Sequence, residues 1–461
     1  MKTGNSPASR DIAFHVHGYT NLDKHESVGP HIMTKGAGIR VTDDTGKSFI
    51  EGLSGLWCAS LGFGGEERLI EAAVKAMRTL PYYHGFGHKT PEVTIDLAEK
   101  LISIAPKQMS KVLFANSGSE ATDLALKLIW YYHNAIGKPE KKKVITRIKG
   151  YHGVTVAAAS LTGLPHLHAD FDLPIAGIYH TDCPHYYRFG NEGESEQEFA
   201  TRCADNLEKF IVDEGPDTVA AMYCEPIMGA GGVIVPPDTY YEKIQAVLKK
   251  YDVLLVADEV ICGFGRTGNM WGSQSLGLVP DLLTCAKQLS AAYLPISALM
   301  VSEKFYQALK SQSKKLGLFG HGGTYAGHPV AAAVALETLR IYEERNIVDH
   351  VRVMAPFMQD GLRSFSTHPI VGEVRGMGLV AGLEMVRDKE LKTPFDAKAM
   401  VGAYAQARAQ DGGLILRAIG DTLAFCPPMI INEAEIKEML TITKTALDET
   451  WDWVNKQGYI E

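Results

Sequence analysis

Several things are scarce in this chain, and each scarcity removes a class of function. The seven cysteines (58, 183, 203, 224, 262, 285 and 426) are scattered, odd in number and never spaced as CxxC. That pattern argues against a disulfide framework or a structural zinc site and reads as reduced thiols in the cytoplasm. No apolar run reaches the roughly 18 residues of a membrane span. The start, MKTGNSPASRDIAFHVHG, carries no apolar signal core, so a cytoplasmic protein without a membrane partner is expected. Positive charge is in deficit: 46 Lys+Arg against 54 Asp+Glu give a formal net charge of -8. Beyond the short KKK at 141–143 there is no basic run, and nucleic acid is not the expected partner. Internal repeats and low-complexity tracts are absent, which excludes a solenoid or a linker-joined array.

The usual catalytic signatures are also missing or fail on context. GFGRTG (263–268) matches the dinucleotide fingerprint literally. The NMWGSQSLG that follows shows no helical pattern, and the next acid, Asp281, comes 13 positions on rather than about 20. TGKS (45–48) resembles the tail of a phosphate-binding loop, but the required glycine is Val41. His84 and His88 have i, i+4 spacing without an intervening glutamate, in a loop rich in glycine and aromatics, so no metal is expected there. No GxSxG elbow occurs.

What is present is a globular composition, 46% hydrophobic and 22% charged over 461 residues, enough for two or three structural units. From about 66 to 330 the chain alternates helix-like and strand-like segments. PEVTIDLAEKLISIAP, SEATDLALKLIWYYHNA and DTYYEKIQAVLKKYD carry apolar residues at helical spacing. KVLFANSG, KKVITRI, TVAAMYCEP, VLLVADEV, DLLTCAK and ISALMVS read as continuous apolar strands. Such alternation implies an α/β fold with a mainly parallel sheet covered on both faces. Residues 331–461 have a different rhythm and suggest a smaller α+β unit. Residues 1 to about 60, with a strand pair turning at DDTG, are expected to pack against that unit, leaving 61–330 as the large domain.

Ligands in open α/β sheets bind at the carboxyl ends of strands. There this sequence delivers Asp258 and Glu259 after VLLVA, Glu225 after TVAAMYC, and Asn116, Ser117, Gly118 and Ser119 ahead of a helix. It also delivers Tyr151 and His152 between two glycines after KKVITRI, and Lys287 at the end of an apolar run. A helix N-terminus suits a phosphate. An aromatic plate, a carboxylate and a lysine beside it are what pyridoxal 5′-phosphate (PLP) needs. A lysine holds the aldehyde as a Schiff base, and the carboxylate keeps the pyridinium protonated so that it accepts carbanion electrons. The freed amine can then shuttle a proton.

These segments resemble the class III aminotransferases, PLP enzymes of fold type I, and more closely their amine:pyruvate or ω-transaminase branch. The likeness runs in order from GLSGLWCASLGFG to LRAIGDTLAFCPP. It implies a large domain with a seven-stranded sheet and a small domain built from both termini. FANSGSEATDLALK resembles the phosphate-cup segment, with Gly118 and Ser119 on the phosphate. KGYHG gives Tyr151 the stacking role. LLVADEVICGFGRTG makes Asp258 the pyridinium partner and Val260 the apolar wall, with Arg266 structural. HGGTYAGHP implies that Thr324 reaches the phosphate across a homodimer interface. Glu225 falls where the family keeps a glutamate near a substrate-side arginine, and Arg417 in LILRAIGD is the candidate carboxylate clamp. Trp57 and Phe86 would shape an apolar amine pocket, Phe86 from the partner subunit. The run after the lysine, QLSAAYLP, departs from the glycine-rich turn of many class III enzymes. The implied reaction is ping-pong transamination from a primary amine or ω-amino acid to pyruvate. Transfer to 2-oxoglutarate, an intramolecular amino shift, a decarboxylation, or non-catalytic PLP binding would use the same residues. The donor stays open among β-alanine, taurine, a diamine and a benzylic amine.

Overall fold

The computed structural model describes residues 4–460. Seven strands form the central sheet: β1 (Met109–Ala115), β2 (Lys143–Arg147), β3 (Ile178–Thr181), β4 (Val219–Cys224), β5 (Leu254–Asp258), β6 (Leu282–Cys285) and β7 (Ser297–Ser302). Their order in space is β1-β7-β6-β5-β4-β2-β3. Neighbours are parallel except that β7 runs antiparallel to both β1 and β6. This is the mainly parallel α/β sheet that the apolar runs imply. β3 was not legible from pattern: it has four residues, IYHT, of which only Ile178 is buried. It is an edge strand, too short and too polar to announce itself.

Successive side chains of a strand face opposite sides of a sheet, so a central strand must be apolar on both. In β5, Leu254 and Val256 pack into the layer under helix α1 (Gly118–Ala135), together with Leu124 and Leu128. Leu255 faces the other way, into the layer of α2 (Glu196–Glu214) and α3 (Tyr240–Lys250). Each such side chain, fully buried, contributes roughly 1.5–3 kcal/mol. The helices start where capping residues stop the preceding strand or loop. Ser117 accepts the Glu120 N–H at the start of α1. Ser195 and Glu198 form a reciprocal capping box at the start of α2.

Around this unit lie two four-stranded sheets. Met33–Ala37, Arg40–Asp43 and Ser48–Glu51 form an antiparallel meander, and Ser48–Glu51 also pairs in parallel with Leu414–Ile415. The second sheet, all antiparallel, contains Val371–Met377, Val380–Met385, Thr422–Phe425 and Arg417–Ile419 in that order. Ile39 and Ile50 share one core with Leu414, Leu416 and Ile436, which joins residues far apart in sequence.

The stretch after GFGRTG does hold one short helix, Gly272–Leu276, which its apolar pattern did not reveal. Its first turn is organised by the buried Glu259, which accepts the N–H groups of Gly272 (2.8 Å) and Ser273 (2.6 Å). Arg266 is wholly buried and donates to the carbonyls of Leu379 (3.0 Å) and Pro427 (2.6 Å), tying the loop after β5 to segments beside the second outer sheet.

Candidate active site

β5 ends at Asp258, which is 4% exposed. Its Oδ2 meets His152 Nδ1 at 2.8 Å, and its Oδ1 accepts the Val260 N–H at 3.1 Å. The other ring nitrogen of His152 lies 3.0 Å from Thr146 Oγ1 in β2, and the ring sits edge-on to Tyr223. A carboxylate gripped from behind in this way keeps its place and its orientation.

β6 delivers Lys287 beside it. The lysine backbone is in the left-handed region, φ 49°, a conformation that costs a non-glycine residue about 1–2 kcal/mol. Strain of this kind collects at functional sites. Burial pushes the Lys287 ammonium below its ordinary range, and the charges of Asp258, Cys58 and Glu225 oppose that shift. Asp258 spends its hydrogen bonds on His152 and Val260. Among the described residues nothing forms a hydrogen bond or ion pair with the Lys287 side chain. The acid and the amine therefore sense one another through charge without touching.

The loop between β1 and α1 forms the next wall. Ser117 uses its hydroxyl as the helix cap and its carbonyl to accept Ser297 Oγ at 2.7 Å. Gly118 faces Val260: a Cβ added there would stand 3.2 Å from both Val260 methyls. Ser119 Oγ accepts the Val154 N–H at 3.0 Å. At Gly153 an added Cβ would fall 2.4 Å from Ser119 Oγ, and its φ is 136°, so only glycine brings the two segments this close. The segment after Tyr151 is thus docked on the N-terminus of α1.

Tyr151 is half-buried, and its N–H is held by Glu225 Oε1 at 2.9 Å. Glu225 Oε2 accepts the Gly229 N–H at 2.9 Å, and burial raises the pKa of this carboxyl. Behind it, the buried Arg147 donates to the Glu225 carbonyl at 2.6 Å and to Tyr241 at 2.9 Å. Glu225 makes no ion pair with Arg417; it fixes the Tyr151 backbone instead. Sequence reasoning missed Tyr19, whose hydroxyl donates to that of Tyr151 at 3.2 Å. The guanidinium of Arg417 lies 5.8 Å from the Tyr19 ring centre, close enough for its charge to act on Tyr151. Arg417 has no carboxylate partner among the described residues. Nothing in GYTN marked Tyr19, because its neighbours are distant in sequence.

Trp57, 2% exposed, belongs to a buried apolar cluster with Leu53, Ile227, Val233 and Ile261, next to Val260 in the chain. The segments that carry Phe86 and Thr324 pack on one another. The Tyr82 hydroxyl donates to the Thr324 carbonyl at 2.8 Å, and Phe86 packs on Gly322. Both are exposed, and neither bonds to Lys287, Asp258 or Tyr151 in the same chain.

These residues fit PLP. The close approach at Gly118 and Gly153 shapes a cradle at a helix N-terminus, as a phosphate requires. Asp258 is backed by His152, Tyr151 offers an aromatic face, and the unpaired Lys287 amine has a lowered proton affinity. Among the described residues no helix is long and apolar enough to cross a membrane.

Comparison with known proteins agrees with this geometry. The aminotransferase class-III family model matches residues 22–447. Gamma aminobutyrate transaminase 1, mitochondrial, from Solanum lycopersicum is 52% identical over 424 residues, covering 92% of this chain and 82% of that protein. The ω-transaminase from Pseudomonas jessenii in complex with PMP is 53% identical with a TM-score of 0.96, covering 98% of this chain and 99% of that one. A transaminase solved with L-Ala is 55% identical with a TM-score of 0.90, covering 92% of this chain and 100% of that one. Family match, fold and site converge: the chain belongs to the class III aminotransferases, enzymes of the PLP-dependent fold type I.

Proposed function

We propose that this enzyme moves an amino group from a primary amine or ω-amino acid to pyruvate, giving alanine and an aldehyde or ketone. The observation that carries the proposal is Arg417. Arg147 and Arg266 are committed to groups inside the protein. Arg417 stands near Tyr151 without a carboxylate partner. A planar guanidinium suits one carboxylate bidentately, and one free arginine suits a monocarboxylate keto acid better than a dicarboxylate. The L-Ala complex of one neighbour supports alanine as the amino product, and the tomato relative's name supports ω-amino donors.

PLP, when bound, supplies an aldehyde for the amino group and a ring that accepts electrons. The protein's residues do the rest. Asp258, steadied by His152, sets the charge beside the ring. Glu225 fixes the Tyr151 backbone, and Tyr151 and Val260 would hold the cofactor between them. The Lys287 amine would take and return the proton at the substrate's Cα, and its lowered proton affinity suits that work. Arg417 orients the acceptor's carboxylate, while Trp57 and Phe86 border the side that takes the amine.

The test is a coupled assay with a panel of amines and either pyruvate or 2-oxoglutarate. The expected result is keto-acid-dependent turnover with alanine formed in equal amount. Faster turnover with 2-oxoglutarate, or product without any keto acid, would overturn the proposal.

The working unit is proposed to be a homodimer in which Thr324 and Phe86 complete the partner's site. The surface around them is rich in exposed aromatic and apolar side chains: Tyr82, Tyr83, Tyr325 and Leu318. Mixing inactive Lys287→Ala with a weakened Thr324→Ala protein should restore activity in hybrid dimers, and no restoration would refute the shared site. The seven cysteines are all free, and we place the enzyme in a reducing compartment, the cytoplasm; fractionation tests this.

A further inference from the structure

The N-terminal arm gathers four chemistry-bearing side chains that the active site does not use. Asp11, near the end of the helix Pro7–Phe14, receives three histidines on one carboxylate. His15 Nδ1 lies 3.1 Å from its Oδ1. His17 Nε2 lies 3.0 and 2.9 Å from the two oxygens, and His25 Nε2 lies 3.0 Å from Oδ2. The rings are crowded, with centroids of His15 and His17 4.5 Å apart and those of His17 and His25 4.3 Å apart. The ligating atoms of Asp11, His15 and His17 all fall within 4.8 Å of one another. His15 is exposed, whereas the His25 side chain is 11% exposed.

One histidine would suffice to tether a carboxylate. Three imidazole nitrogens gathered on one carboxylate make a nitrogen and oxygen donor set of the kind zinc-like ions take, once each ring carries its proton on its far nitrogen. In a tetrahedral zinc site with bonds of about 2.0–2.2 Å, ligand atoms sit about 3.4 Å apart. The spacings from Asp11 to its histidines need only small adjustments to reach that.

We propose that Asp11, His15 and His17 bind a divalent transition ion of the zinc type, with His25 orienting the carboxylate from its other oxygen, and that the ion pins Tyr19 over the active site. Three protein ligands leave a fourth position open on the exposed His15 side, where water completes the coordination. Only Gly18 separates His17 from Tyr19, which bonds to Tyr151 and lies under Arg417. A loaded ion holds the arm across the mouth of the site, and removing it frees the arm. The second half of this proposal rests on the transaminase reading of that site; the first half does not.

The experiment uses untagged, PLP-loaded enzyme, freed of metal by a chelator and titrated with zinc chloride alone. Calorimetry with elemental analysis is expected to show one zinc per chain. Asp11→Asn and His17→Ala should each weaken that step at least tenfold, and His25→Ala should weaken it about 10–100-fold, as loss of an orienting partner does. No zinc bound, or binding unchanged in a His15→Ala/His17→Ala double variant, overturns the site. The arm is read by limited proteolysis: zinc should protect the bonds around Tyr19 in the wild type and not in Asp11→Asn. With the amine panel, zinc should raise KM for bulky donors severalfold in the wild type alone. Binding without protection or a KM change overturns the pinning while leaving the metal site standing.

Discussion

Asp258 is 4% exposed and Tyr19 is 60% exposed, yet both act on Tyr151. The floor of the site is built from strand ends. Asp258 ends β5, Glu225 and Lys287 follow β4 and β6, and each of the two acids is held by at least two hydrogen bonds. The rim holds Tyr19 from the arm and Arg417 from a strand of the outer sheet, which make few polar contacts within the chain, and the proposed dimer would add Phe86 and Thr324. Chemistry needs groups fixed in place before substrate arrives, whereas selection among substrates needs side chains that can adapt. Floor substitutions should therefore cost rate with every substrate, and rim substitutions should discriminate among substrates.

The largest effect belongs to Lys287→Ala, which should cut turnover by on the order of 10⁴ or more with every donor and abolish the absorbance band of lysine-bound cofactor. Retention of both would remove the floor's central residue from the chemistry. Asp258→Asn comes next, with a loss on the order of 10²–10³, the range for removing a preorganised charge at a reacting centre. It also carries a pH signature. Burial lowers the proton affinity of Lys287, and the Asp258 charge partly restores it. Without that charge the affinity falls further, so the amine stays neutral to lower pH. The acid limb of the rate of PLP capture by stripped protein should move down in pH; movement upward would contradict the assigned coupling.

Arg417→Ala tests the rim. KM for pyruvate should rise about 10–100-fold, the loss of a charge-assisted bidentate contact of roughly 1.5–3 kcal/mol. The half-reaction with a benzylic amine should stay within a fewfold of wild type, and an equal loss in both halves would make Arg417 part of the floor. Tyr19→Phe should have the smallest effect. Removing one hydroxyl bond worth about 0.5–1.5 kcal/mol should change kcat/KM about 2–10-fold, with the change differing between bulky and small donors.

Much of the floor was readable because its signals are local. Apolar runs such as VLLVA and VAAMYC announce buried strands, and the polar residue that ends each run marks the sheet's carboxyl edge. β3 and the helix Gly272–Leu276 escaped because their structure depends on distant partners, an edge pairing with β2 and the carboxylate of Glu259. That the Glu225 carboxylate holds the Tyr151 and Gly229 N–H groups was not legible, because no spacing rule tells which polar groups a buried acid will meet. The histidines of the arm passed unnoticed for the same reason, since they converge only once two short helices turn back on one another.

The sequence alone determined the periodicities, and through them the parallel sheet, the strand ends and the identities of the groups delivered there. Those follow from short-range sterics and from the free energy of burying apolar surface, which act within a few residues. Tertiary structure decided who meets whom. His152 grips Asp258 across 106 positions, and Tyr19 reaches Tyr151 across 132. Such contacts are made when packed layers bring buried polar groups within reach and each must find a partner or lose the hydrogen bonds that water gave it.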